Sequence, residues 1–192
     1  MPARNSKDAQ LSKRLDEALG RLGARDRANI EKHLTALGTE TDSKHAQLWR
    51  RLAGKLCELS PLPMQAIGAQ AVIFFAPDGK YRMQVYALED NRDGNIVIYL
   101  PDVTAQAVKE KVLVKSGEGF AVAGSKARTL TVDALDAGNT PEPAQHVKHM
   151  IGWNRKAVRV TIPVTSPDSP EVAAAEALCS LAARQWASAV KA

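Results

Sequence analysis

Aromatic residues are scarce in this chain, with three each of Trp, Tyr and Phe making up 5% of it. A core with so few rings has to be assembled from Ala, Leu, Val and Ile. No aromatic-bearing strand offers the stacking platform that single-stranded RNA requires. Cysteine is also rare. Cys57 and Cys179 stand far apart, each inside an apolar helical stretch, so a disulfide framework is not expected. No apolar run reaches the length of a membrane span, and "MPARNSKDAQ" at the start lacks the apolar stretch of a secretory signal. The expectation is therefore a cytoplasmic protein without a membrane partner.

Motifs of common chemistries are missing as well. There is no Gly-x-Ser-x-Gly elbow and no His-Glu-x-x-His pair. Both cysteines sit where a thiol usually acts as a small hydrophobe. "GFAVAGSK" (119–126) has two glycines at phosphate-loop spacing, but Ser125 separates Gly124 from Lys126, and the interior is apolar and β-prone. A hairpin fits those residues better. "EDNRDGNI" (89–96) alternates Glu89, Asn91 and Asp93 as a calcium loop does its oxygen ligands, yet Leu100 stands where the bidentate Glu is needed. It reads as a solvated turn, and no cofactor is expected.

What is present is an ordinary globular balance in 192 residues, 45% hydrophobic and 24% charged, with a net charge of +5. Residues 1–60 carry twelve Lys and Arg against eight Asp and Glu. Residues 61–145 carry eight against ten, and 146–192 six against three. Basic ends flank a mildly acidic middle, which permits an acidic partner without requiring one.

Three leucine-based helical stripes fill the first sixty residues: Leu11, Leu15, Leu19 and Leu22; then Ile30, Leu34 and Leu37; then Leu48, Trp49, Leu52, Leu56 and Leu59. Gly38 suits the end of the second, and Thr39 or Thr41 the start of the third. "SPLP" (60–63) stops the third and predicts a boundary between a helical segment, 1–60, and an α+β domain, 64–192. Beyond it the period becomes extended. "AVIFFA" (71–76), "YRMQVYAL" (81–88) and "NIVIYL" (95–100) predict an antiparallel meander, with "PDGK" as one turn. Asp102 is placed to cap a helix from Val103 to about Val114. "GFAVAG" (119–124) and "RTLTVD" (128–133) read as a second hairpin. A short helix around 143–150 precedes a strand at 157–164. Ser169 and Pro170 open a long C-terminal helix whose buried stripe is Val172, Ala175, Cys179, Ala182, Trp186 and Val190.

The fold class is thus α+β: a helical N-terminal segment, a mainly antiparallel sheet of five or six strands packed against helices, and a long C-terminal helix. Function is carried less plainly. "HVKHMIGWNRK" (146–156) concentrates basic, imidazole and indole groups. His146 and His149 share a helical face and are the weak metal candidates, short of the three ligands zinc needs. His149, Trp153, Arg155 and Lys156 are the candidate ligand-binding set, suited to a small anionic group. Trp153 is expected to anchor the segment to the core. The basic N-terminal helices interleave Asp16, Glu17, Asp26 and Glu31 with their arginines, which argues against nucleic acid. A non-catalytic interaction or small-ligand-binding module ranks first. A nucleic-acid-associated protein and an enzyme without a short motif follow. A homodimer is the favoured assembly, since most soluble oligomers are two-fold.

Overall fold

The computed structural model describes residues 3–36, 44–59, 64–67, 71–75, 84–91, 95–117, 119–125, 130–136, 156–163 and 168–189, with only the backbone described for parts of several elements. Helices α1 (Ala3–Gly20), α2 (Ala24–Ala36) and α3 (Lys44–Leu59) come first. Strands β1 (Met64–Ile67), β2 (Ala71–Phe75), β3 (Gln84–Asn91) and β4 (Asn95–Pro101) follow. Next come α4 (Thr104–Lys109), a short hairpin of β5 (Leu113–Ser116) and β6 (Gly119–Val122), then β7 (Thr131–Asp136) and β8 (Lys156–Pro163). α5 (Pro170–Ala189) closes the chain order. The fold is α+β, with the sheet antiparallel throughout.

Among the described residues six strands form the main sheet, in the order β1-β2-β3-β4-β8-β7. The expected meander is there, and β8 pairs β4 on one side and β7 on the other. Residues of β4 alternate between two faces because consecutive side chains of a strand point opposite ways. Ile96, Ile98 and Leu100 are fully buried in the main core, opposite Ile162, Val160 and Val158 of β8 in register. Val132 of β7 continues that row from Val160. α5 packs on this inner face, and α3 packs on α5.

One buried cluster joins Leu15, Ile30, Trp49, Leu52 and Leu56 of the N-terminal helices to the inner face of the sheet and to Leu178 and Cys179 of α5. Among the described residues Trp49 is the largest side chain wholly removed from water. α1 crosses α3 closely because position 54 is glycine: a Cβ there would overlap the Leu11 carbonyl oxygen and stand 2.8 Å from its carbon.

Several sequence expectations need correction. The helix expected over 103–114 stops at Lys109, and 113–116 is a strand. Lys111 adopts a left-handed φ of 58°. Val112 N–H then donates to Ala107 C=O at 2.9 Å and Lys111 N–H to Val108 C=O at 3.1 Å. That pair of bonds is a Schellman stop, usually built on Gly and here on Lys, so composition concealed it. At the other end Val103 is the N-cap residue, while Asp102 accepts from Thr104 N–H at 3.0 Å. Among the described residues the expected pairing of 119–124 with 128–133 is replaced by two others. β6 pairs β5 through a two-residue loop whose Gly117 has φ 62°, as primed hairpin turns require, and β7 pairs β8. β1 was not anticipated, because "MQAI" is short and lies directly after the prolines.

α5 begins as expected. Val172 N–H donates to Ser169 Oγ at 3.3 Å. Its buried surface is wider than one stripe, since Ala174, Leu178 and Leu181 are buried alongside Val172, Ala175, Cys179 and Ala182. A helix covered by a sheet on one side and by α3 on another needs such a surface. Gly38, Thr39, Thr41, residues 60–63, 77–80 and 137–155, and Val190 lie outside the described residues, as does the side chain of Trp186.

Candidate functional site

His146, His149, Trp153 and Arg155 fall outside the described residues. Lys156 opens β8, in register with Asp136 of β7. The described part of the structure instead draws attention to the face of the sheet turned away from α5, three residues further along β8.

That outer face is set by alternation. Val97 and Tyr99 of β4, Arg159 and Thr161 of β8, and Thr131 and Asp133 of β7 are the neighbours of the inner-facing core residues, and none of them belongs to the main core. Register arranges them in two rows across the strands: Tyr99–Arg159–Asp133 and Val97–Thr161–Thr131. Burial changes along each row. Val97 and Tyr99 are 1% and 6% exposed, Arg159 and Thr161 are half-buried, and Thr131 and Asp133 are exposed. β8 thus runs along the margin between a covered and an open part of the face.

Arg159 stands on that margin. Its Nε is buried and has no hydrogen-bond acceptor among the described residues. Asp133 lies opposite it, at the distance of directly paired residues, about 5 Å between Cβ atoms. No ion pair closes between the two among the described residues. An unsatisfied buried N–H costs about 1–3 kcal/mol, so it is an uncommon feature to find on a central strand. The sequence signal was one cation interrupting the apolar "AVRVTIPV". It looked like any outward-facing strand residue, since neither the burial of Nε nor the missing acceptor is written in the alternation.

Other chemistry-bearing groups are accounted for by structure. Arg51 Nε of α3 donates to Glu176 Oε1 of α5 at 2.8 Å, with Asp168 3.7 Å from the same guanidinium. Ser125 Oγ donates to the buried carboxylate of Glu171 at 3.3 Å, tying the turn after β6 to the start of α5. The "GFAVAGSK" stretch therefore spends its hydroxyl on an internal carboxylate. Gln106 and Arg184 both donate to Glu110, at 2.8 Å and 2.8–2.9 Å, and hold its carboxyl below the usual range. Burial pushes the Cys57 and Cys179 thiols up to about 12, so at neutral pH both are protonated and poor nucleophiles.

The basic N-terminal helices carry their own counter-charges. Arg27 meets Glu31 at 2.8 Å, Arg50 meets Asp16 at 3.6 Å and Lys13 meets Glu17 at 3.9 Å. Carboxylates in these positions subtract from any phosphate attraction. Among the described residues no group of three His, Cys, Asp or Glu is placed to hold a metal ion, and no helix is long and apolar enough to cross a membrane. The chain matches no protein-family model, no curated protein and no solved structure.

Proposed function

We propose that the protein is a non-catalytic binding module that takes a small ligand or a partner segment on the outer face of its sheet. The observation that supports this is the Tyr99–Arg159–Asp133 row, which passes from buried to exposed across three paired strands. Binding surfaces commonly combine a water-shielded floor with a few oriented polar groups at its edge. Tyr99 supplies floor, and Arg159, Thr161 and Thr131 supply polar groups. The strands that carry them are backed by the main core on their inner face. His149, Trp153 and Arg155 belong to the same proposal by sequence, since they precede β8, whereas Lys156 shares the parity of Val158 and Val160 rather than that of Arg159.

Native mass spectrometry of the full chain purified from cells tests the proposal. A non-covalent adduct retained at low collision energy and shed at higher energy is expected. The same spectra report whether the chain is a homodimer, the assembly proposed here. A bare mass, with no member of a broad small-molecule library raising the melting temperature, counts against a binding module.

A further inference from the structure

We infer that Arg159 holds an oxyanion side-on at the margin of the outer sheet face, which names the ligand class for the surface proposed above and rests on that reading. Three facts converge on this residue. Its Nε is buried without an acceptor among the described residues. Its register partner on β7, Asp133, is exposed and makes no ion pair with it among those residues. Its register partner on β4, Tyr99, is 6% exposed and leaves little water on that side.

A guanidinium remains charged at any physiological pH, so Arg159 brings a half-buried cation to a place where water is thinning out. Such a group calls for both an acceptor and a counter-charge. A neutral carbonyl supplies only the first. A carboxylate or phosphate supplies both, and its two oxygens match the parallel N–H bonds along the Nε edge of the guanidinium. Nε is the atom left without an acceptor among the described residues. Asp133 bears the same charge as the anion, and its exposure lets water screen that repulsion. Thr161, two residues along β8 and on the same face, is a further hydroxyl donor.

The test is a titration of the full ¹⁵N-labelled chain observed at the arginine Nε–H resonances. Arg159→Lys identifies the Arg159 signal by its disappearance. Inorganic phosphate and acetate are added separately, with chloride at matched ionic strength as control. The expected result is a saturable shift of the Arg159 signal with an oxyanion and none with chloride. Arg159→Lys keeps the charge but loses the two-pronged edge, so it weakens binding about tenfold as read from backbone amides. A stronger response to phosphate marks a phosphate-bearing ligand, and the reverse a carboxylate. Uniform drift of all arginine signals, or none, means that no oxyanion reaches Nε and overturns the inference. If outer-face amides respond while the Arg159 Nε–H stays fixed, the binding surface survives and the oxyanion grip falls.

Discussion

Arg51 of α3 and Glu176 of α5 meet at 2.8 Å with side chains only 12% and 9% exposed. Their contact bolts the helical N-terminal part to the helix that backs the sheet. Removing one member of a buried pair strands the other's charge, a loss of about 3–5 kcal/mol in well-buried cases. Partial exposure and the nearby Asp168 lower this here, so Arg51→Met should cost about 2–3 kcal/mol by chemical denaturation. The double variant Arg51→Met, Glu176→Leu should recover much of that loss. A double variant as unstable as the sum of the two singles would mean that the pair is not the source of the effect.

Gly54 makes the close crossing of α1 and α3. Ala is the better helix former by about 1 kcal/mol, so propensity alone predicts that Gly54→Ala stabilises. Its Cβ would collide with the Leu11 backbone, which cannot move aside like a side chain. Overpacking of that kind costs about 1–3 kcal/mol and should win, giving a net lower melting temperature. An unchanged or higher melting temperature would show that the two helices are spaced more widely.

Lys111 holds a left-handed backbone that costs a non-glycine residue about 1–2 kcal/mol. Glycine there removes the strain but returns about 0.5–1 kcal/mol in unfolded-chain entropy. Lys111→Gly should therefore stabilise slightly, and Lys111→Val should destabilise, because a β-branched side chain tolerates that conformation poorly. Equal melting temperatures for all three chains would contradict the Schellman stop.

β8 was legible because Val158, Val160 and Ile162 alternate with Arg159 and Thr161, and β4 because Ile96–Leu100 is a short unbroken apolar run, buried on both faces. The start of α5 was legible because Ser169 and Pro170 do specific jobs at a helix N-terminus. The end of α4 was hidden by a lysine doing glycine's work. The partner of β6 was hidden because hydrophobic pattern fixes which face a strand presents but not which neighbour it takes. Arg159 had the same cause: its strand and face were readable, while a missing acceptor is a property of three strands at once.

The period change at 60–63 predicts that residues 64–192 fold without the helices before them. The N-terminal helices share one buried cluster with α5 and the inner face of the sheet, so that fragment would expose apolar parts of both. It should keep a β-rich circular dichroism spectrum and a cooperative melt while binding an apolar dye or self-associating. A fragment without a cooperative melt would place the boundary elsewhere.

Amide chemical-shift mapping of the full chain against a mixed library of small acids, phosphates and neutral compounds tests the binding surface most directly. Saturable shifts should concentrate at Val97, Tyr99, Thr131, Asp133, Arg159 and Thr161, the outward-facing residues of β4, β8 and β7. Shifts confined to α1, α2 and α3, or no saturable shift with any compound, would contradict a binding surface on the outer face of the sheet.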